Sequence, residues 1–312
     1  MPRQADFFRS PAATPTLEAS DDGVRFTKVA DVTFSAIEQQ TISFSAVSAR
    51  YFRVCFVPSP PTHTDLLSAT APGANRLGLF VDRGPPKDFQ VSELRLFATP
   101  RVHHAEEKAG YALAENYYAL ATAPVDSADA VPPGKVLDLT QKMQADGTLA
   151  WTPPPGRWRI LRFGYSLTGK QNHPATAEAT GLEVDKLDRD HVEAYLDAYL
   201  GKYENAVGAQ RLGAKGIRAL LVDSIEVGAQ NWTESLPAEF RRRRGYELLP
   251  WMPALTGVVI GSAEQRDRFL YDFRRTLAEL IADHHYGQIA ATADRRRAAG
   301  CREDHVHDLC TL

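Results

Sequence analysis

The feature that most constrains the fold of this chain is the apolar run of residues 216–222. A run with so few polar residues predicts a strand that is covered on both faces, as in a parallel sheet. Carboxylates begin where the run stops, at Asp223 and Glu226. Because folds built from parallel strands and helices gather their functional groups at the carboxyl ends of the strands, this pattern predicts a functional site directly after residue 222.

Asn231 and Trp232 follow the two carboxylates and add an amide and an aromatic ring. Asp223 and Glu226 are three residues apart, so one acid is expected in a cleft while the other binds sugar hydroxyls or holds the loop. Amide and indole groups of this kind commonly line sites for polar ligands such as sugars. The alternative is an acidic loop in which Asp223 only caps a turn.

A second polar cluster occupies the long loop of residues 167–186, which follows a predicted strand at 158–165. Loops of this length between regular elements are usually functional. Its polar side chains could bind several sugar hydroxyls or coordinate a hard cation through oxygens. These side chains are Asn172, His173, Glu178, Glu183 and Asp185. The alternative is that Asp185 and Lys186 cap the next helix and pair with neighbours, and that His173 is an ordinary loop hydrogen-bonder.

Composition and missing motifs exclude several classes of function. The chain has 312 residues and a formal charge of −3, so we expect no nucleic-acid partner and no membrane partner. Residues 241–244 are four arginines, a run more typical of a solvated helix face than of a nucleic-acid patch. No apolar run reaches the roughly 18 residues of a membrane span, and the first residues lack the apolar core of a secretion signal.

The three cysteines do not pair with histidines at zinc-ligand spacing, and the sequence has no nucleophile elbow, phosphate loop or dinucleotide fingerprint. Acyl transfer, nucleotide chemistry and hydride transfer therefore lose support. What remains is acid and base chemistry by carboxylates beside aromatic rings, which is typical of glycoside hydrolysis.

Residues 1–100 are predicted to form an antiparallel β-sandwich. Apolar and polar residues alternate over 24–26, 41–44, 50–57 and 93–97, and residues 20–23 carry a turn signal with Gly23. The segments 17–23, 49–54 and 91–96 resemble galactose-binding-like jelly rolls of the discoidin type. Such modules serve either as scaffolds or as sugar-binding modules, and the sequence leaves both open.

Residues 101–312 are predicted to alternate strands and helices, which implies a parallel sheet. Helices are expected at 106–121, from Asp188 or Asp190 to Tyr203, at 238–246 with Gly245 as its cap, and at 263–293. On the second of these helices we expect a buried stripe of Val192, Tyr195, Leu196, Tyr199 and Leu200. The chain therefore belongs to the α/β class with an added all-β module.

Three further stretches resemble family 106 glycoside hydrolases, the α-L-rhamnosidases; they are residues 156–169, residues 178–186 and residues 223–233. The resemblance covers about residues 100 to 290. It implies a (β/α)8 catalytic barrel over 101–312 after the sandwich of 1–100, calcium as a cofactor, and inverting hydrolysis of terminal α-L-rhamnosides in a rhamnose-containing oligosaccharide or glycoside. Glu226 matches the position of the family's general acid.

The resemblance also implies that the catalytic base lies downstream of the acid, on a later barrel strand. From about residue 294 the sequence no longer resembles the family, so we expect an incomplete barrel that lacks this base. The family acts on exported or plant-derived glycans, which implies a periplasmic or secreted parent. The alternative function is a non-catalytic carbohydrate-binding or scaffold fragment.

Overall fold

The computed structural model describes residues 13–32, 39–58, 91–112, 116–172, 175–208, 211, 216–222, 225 and 227–300. Its regular elements in the first hundred residues form a three-stranded antiparallel sheet in the order β2-β1-β3. The strands are β1 (Ala13–Ser20), β2 (Thr27–Asp31) and β3 (Tyr51–Pro58). β1 lies in the centre and buries Leu17 and Ala19, which are two residues apart and therefore share one face.

The turn between β1 and β2 has the predicted chemistry. Gly23 has a φ of 72°, in the left-handed region that glycine adopts without strain. Asp22 Oδ1 accepts hydrogen bonds from the backbone amides of Val24 at 2.9 Å and Arg25 at 2.8 Å. These bonds fix the reversal of the chain and confirm the prediction for residues 20–23.

Three of the four runs predicted as strands in this half do not form strands. Residues 24–26 lie in the turn before β2. Residues 41–44 and 93–97 have no strand structure, and Leu94, Leu96 and Phe97 are exposed. Instead, the Ser43 backbone amide donates to His103 Nδ1 at 3.0 Å, so this segment binds the start of the second half. A strand forms only where a neighbouring segment pairs with it. Residues 59–90, which were predicted to belong to the same sandwich, lie outside the described part of the chain.

The second half is mainly helical within the described residues. Its helices are α1 (Ala105–Lys108), α2 (Arg189–Val207), α3 (Leu236–Arg244), α4 (Ala263–Leu280) and α5 (Gly287–Gly300). α3 ends at Gly245 with a φ of 80°, as predicted. α1, α3 and α4 enclose one apolar core that includes Val102, Phe240 and Phe273.

The long helix predicted at 263–293 is confirmed, but it contains a π-helical segment at Ile281–Tyr286 between α4 and α5. A capping box between Ser262 and Gln265 fixes its start. Its apolar residues at helical spacing are buried, at Phe269, Leu270, Phe273, Leu277 and Leu280. Segments of π-helix widen the turn locally and are frequent near functional sites.

α2 begins where predicted, because the Asp188 carboxylate accepts a hydrogen bond of 3.0 Å from the His191 amide. Val192, Leu196 and Leu200 are buried, but Tyr195 is 52% exposed and Tyr199 is 42% exposed. The tyrosines therefore do not belong to the core, and the prediction was wrong for them. The buried residues repeat every four positions, so the apolar face of α2 is narrower than the predicted stripe.

Three further predictions in this half were wrong. Residues 158–165 and 216–222 are not strands, with Tyr165 63% exposed and Leu221 97% exposed. The described residues supply no paired neighbours for either segment, so an apolar run alone does not make a ladder. The helix predicted at 106–121 is reduced to α1, because Gly110 turns the chain with a φ of 73°.

No helix among the described residues is both long enough and apolar enough to cross a membrane.

Candidate functional site

The predicted site falls partly outside the described residues. Asp223, Glu226 and His173 belong to that undescribed part. The structure does describe residues 227–234, which follow Glu226 directly, and the loop that faces them.

Asp185 and Thr233 join the two predicted clusters. The Thr233 hydroxyl donates to Asp185 Oδ2 at 2.7 Å, and the Leu187 amide donates to Asp185 Oδ1 at 2.9 Å. Thr233 is buried. Asp185 thus holds the segment after Glu226 against the turn that leads into α2.

Asn231 anchors the same segment to α1. Its Nδ2 donates to the Ala109 carbonyl at 3.2 Å. A Cβ at Gly110 would lie 3.3 Å from the Asn231 Cβ, so the close approach of the two segments favours glycine at position 110. The amide that was predicted to bind sugar is therefore used, in part, to fix the loop.

Trp232 is partly buried against the apolar core, and its ring centroid lies 6.1 Å from that of Tyr165 at an interplanar angle of 30°. Tyr165 donates its hydroxyl to Glu234 Oε1 at 2.8 Å, which raises the pKa of Tyr165. Trp232 Nε1 and Gln230 Oε1 are buried and have no hydrogen-bond partner. Gln230 and Tyr165 were not predicted as site residues, although each adjoins a motif that was.

Asn172 shapes the loop it belongs to. The Gly181 amide donates to Asn172 Oδ1 at 2.7 Å, and Asn172 Nδ2 donates to the Ala179 carbonyl at 3.0 Å. The exposed Glu178 has its pKa lowered by its own backbone amide and by the Thr176 hydroxyl. Both side chains make contacts within the loop, and no contact among the described residues joins them to Trp232.

The end of this loop packs against the π-helical segment. Lys186 is 7% exposed and forms an ion pair with Glu183. His284 Nδ1 lies 2.8 Å from the Leu187 carbonyl oxygen, and His285 is 8% exposed. Burial lowers the pKa of His285, and the nearby Lys186 lowers it further while Glu183 opposes this. The two histidines therefore pack against the end of this loop.

Calcium finds no ligand set among the described residues, where no group of three or more histidine, cysteine, aspartate or glutamate side chains comes together. Asp185 has both oxygens engaged by protein donors. The residues that the structure describes therefore do not fit a calcium site.

The four arginines at 241–244 form ion pairs at the end of α3. Arg241 and Arg242 are solvated as predicted, but the side chains of Arg243 and Arg244 are only 10% and 14% exposed, so the prediction was wrong for these two. Arg241 pairs with Glu247 at 3.0 Å. Arg242 and Arg243 both pair with Glu239, at 2.6 Å and 3.0 Å. Their charges are neutralised locally, so this run does not present a basic patch.

Comparison with known proteins agrees with the motifs. The model of the glycoside hydrolase family 106, described as alpha-L-rhamnosidase, matches residues 8–311. The chain belongs to this family. A solved rhamnosidase from Novosphingobium sp. PP1Y is 43% identical and superposes with a TM-score of 0.77 over 92% of this chain. The fold of this family 106 chain is therefore that of part of an α/β glycosidase.

The chain spans only part of its relatives. It covers 24% of the Novosphingobium rhamnosidase. A curated protein of Formosa agariphila, named "Putative beta-glucuronidase", is 41% identical over 152 residues, which is 49% of this chain and 13% of that protein. Both relatives are thus much longer than the family 106 chain described here.

Proposed function

We propose that this chain carries the proton-donor part of an inverting α-L-rhamnosidase site, with Glu226 as the general acid. The family match over residues 8–311 supports this proposal. Trp232, the ring predicted for the sugar subsite, packs against the core, and Thr233 is tied to Asp185. A rigid segment next to the acid is what catalysis requires, since the acid must hold a fixed position at the leaving-group oxygen.

In this proposal Glu226 protonates the glycosidic oxygen as the bond to the anomeric carbon breaks. A glutamate donates at neutral pH only when its pKa is raised, by burial beside apolar groups or by a second carboxylate. Trp232 supplies an apolar surface close in sequence, and Asp223 supplies a carboxylate. Asp223, Asn231 and Trp232 would then shape the sugar subsite, with His173, Glu178 and Asn172 on the facing loop.

An inverting enzyme also needs a base about 6.5–9.5 Å from the acid, which activates water on the opposite face of the ring. The proposal places this base on a later strand of a (β/α)8 barrel that follows the jelly roll. Calcium as a cofactor stays a prediction from the family resemblance. The substrate in this proposal is a terminal α-L-rhamnoside.

Hydrolysis of an aryl α-L-rhamnoside by the chain and by Glu226→Gln tests the acid. We expect loss of at least about a hundredfold in rate with binding retained, since general acid catalysis contributes 10²–10⁴-fold. Glu247→Gln is the matched control, because Glu247 is exposed and pairs with Arg241 on α3. Unchanged turnover by Glu226→Gln would remove Glu226 from the mechanism. Inversion is tested separately, by using NMR to identify which anomer of rhamnose is released first.

The second candidate is a non-catalytic carbohydrate-binding or scaffold fragment. It is favoured by the observation that Asn231 and Asp185, both predicted for the site, are bonded to protein groups. Calorimetric binding of methyl α-L-rhamnoside without turnover supports this candidate, whereas turnover supports the enzyme. A panel of aryl glycosides that includes a β-glucuronide tests whether a different sugar is the substrate.

A further inference from the structure

Two buried polar atoms lie in the segment after Glu226 without a hydrogen-bond partner. They are Gln230 Oε1, an acceptor, and Trp232 Nε1, a donor. Buried polar atoms are almost always hydrogen-bonded, because an unpaired one loses its contact with water and gains nothing in return. Two such atoms within three residues indicate that something outside the protein completes them.

The bonding alternates along this segment. Asn231 donates to the Ala109 carbonyl at 3.2 Å, and Thr233 donates to Asp185 at 2.7 Å. Gln230 and Trp232, which alternate with them, keep the unpaired atoms. Asn231 and Thr233 thus hold the segment, while the buried Gln230 Oε1 and Trp232 Nε1 have no protein partner.

An aromatic surface lies next to the unpaired atoms. The Tyr165 ring is 6.1 Å from the Trp232 ring, centroid to centroid, and Tyr165 is 63% exposed. The Lys170 Cε would lie 3.5 Å from a Cβ at Gly228, so residues 165–170 run beside residues 228–232. Exposed tyrosine and tryptophan rings offer apolar faces together with a polar group, which suits the C–H face and the hydroxyls of a sugar.

We propose that Gln230 and Trp232 are sugar-binding residues, with Gln230 Oε1 accepting from one hydroxyl, Trp232 Nε1 donating to another, and the pyranose resting on Tyr165. This inference rests on the proposed glycosidase function and specifies its recognition. A hydroxyl both donates and accepts, so a neutral sugar satisfies both atoms. Any pyranose offers several such hydroxyls, so the two atoms recognise a hydroxylated ring.

Indole NMR signals test the role of Trp232. The chain has four tryptophans, so a ¹⁵N-labelled sample shows four indole N–H signals, and Trp232→Phe assigns one of them. We expect methyl α-L-rhamnoside to shift the Trp232 signal in a saturable, concentration-dependent way. Trp158 is the internal control, because its Nε1 already donates to the Pro154 carbonyl at 2.9 Å. A Trp232 signal that does not move at any attainable rhamnoside concentration overturns the proposal.

Gln230→Met tests the acceptor, since methionine has nearly the shape of glutamine without its polar atoms. Removing an unpaired buried oxygen should leave the unfolding temperature of the free chain unchanged or raise it, while affinity for methyl α-L-rhamnoside falls about tenfold. Gln288→Met is the matched control, because Gln288 is buried and donates to Thr292 Oγ1 at 3.4 Å. It should lower the unfolding temperature and leave affinity unchanged.

The same measurements separate this inference from the proposed function. If Gln230→Met lowers the unfolding temperature and keeps full affinity, Gln230 is structural and the inference fails, whether or not rhamnoside is cleaved. If Glu226→Gln retains turnover while the Trp232 signal still responds to rhamnoside, the assignment of the acid fails and the sugar-binding role of Trp232 stands.

Discussion

The Thr233 hydroxyl donates a 2.7 Å hydrogen bond to Asp185 Oδ2, and this bond connects the segment after Glu226 to the loop before α2. Asp185 Oδ1 accepts from the Leu187 amide at 2.9 Å, so one carboxylate holds both the loop and the segment. Hydrogen bonds to a charged acceptor are stronger than neutral ones. The position of residues 227–234 therefore depends on this contact.

Thr233→Val should destabilise the chain by about 1–3 kcal/mol, because it leaves the partly buried Asp185 carboxylate without one of its donors. Thr233→Ser keeps the hydroxyl and should lose less than half of that amount. Urea unfolding followed by circular dichroism measures both. Thr180→Val is the control, since the Thr180 hydroxyl bonds the Thr176 carbonyl at 2.7 Å in an exposed loop. Equal losses for Thr233→Val and Thr180→Val would contradict the argument.

Glu279 is expected to stabilise the contact between α3 and α4 in a pH-dependent way. Burial alone would raise its pKa, but hydrogen bonds from Arg244 and Arg275 outweigh this and lower the pKa of Glu279 to about 2. Because the folded protein binds this proton less readily than the unfolded chain, the stabilisation is complete above about pH 5 and is lost as the pH falls toward 2.

Glu279→Gln should therefore cost about 1–2 kcal/mol at pH 7, and the difference from the unchanged chain should shrink at pH 3. Urea unfolding at the two pH values measures it. Glu264→Gln is the control, because its pair with Arg268 joins side chains that are 82% and 73% exposed. A difference for Glu279→Gln that is the same at both pH values would show that the ion pairs do not cause it.

The helices could be predicted from the sequence because their signals are local. Asp188 caps α2 and Gly245 ends α3 through residues that lie within one turn of the helix end. The stripe of Phe269, Phe273 and Leu280 was visible for the same reason, since its period follows from helix geometry. The width of a buried face is set by the neighbouring element, so the exposure of Tyr195 could not be predicted.

The strands at 158–165 and 216–222 were predicted wrongly because strand pairing depends on segments that are distant in the sequence. The apolar run at 216–222 shows which residues can be buried, but it does not show which segment would cover them. Leu221, within this run, is exposed in the structure. In the site, the two polar clusters were found separately. Their connection through Asp185 and Thr233 depends on tertiary contacts, and the unpaired Gln230 Oε1 is a property of the folded chain alone.

His103 should make the chain sensitive to mild acid. Burial, followed by the nearby His104 and Lys108, lowers the pKa of His103 to about 4, while Glu107 opposes this. Its Nδ1 accepts from the Ser43 amide at 3.0 Å, and that bond requires the unprotonated nitrogen. The unfolded chain takes up the proton first, near pH 6.5, so stability falls as the pH drops from about 6.5 to 4.

We expect this loss to be on the order of 1–3 kcal/mol, and His103→Gln should make the pH dependence shallower in that window. Part of the pH dependence of stability should remain in this variant, because burial also lowers the pKa of His285. Stability is measured by urea unfolding between pH 7 and 4. His191→Gln is the control, as its side chain is 65% exposed. An unchanged slope in His103→Gln would assign the acid sensitivity to other groups.

Substitution by alanine at two glycines should change the stability of the chain in opposite directions. Gly201 lies inside α2 with an ordinary helical φ, whereas Gly245 ends α3 with a φ of 80°, and neither has an atom within 4 Å of the position a Cβ would take. A new Cβ would therefore meet no other atom at either site, and the two sites differ in their backbone conformation. Gly201→Ala should stabilise the chain by about 0.5–1 kcal/mol, because it reduces the freedom of the unfolded chain and favours the helix.

Gly245→Ala should instead destabilise it by about 1 kcal/mol, because a side chain is strained in the left-handed region. Thermal unfolding of the two variants and of the double variant measures both effects, which should add, since the sites lie on different helices. Gly245→Asn should recover part of the loss, as asparagine tolerates that region better than alanine. A stabilising Gly245→Ala would mean that the end of α3 does not need the left-handed conformation.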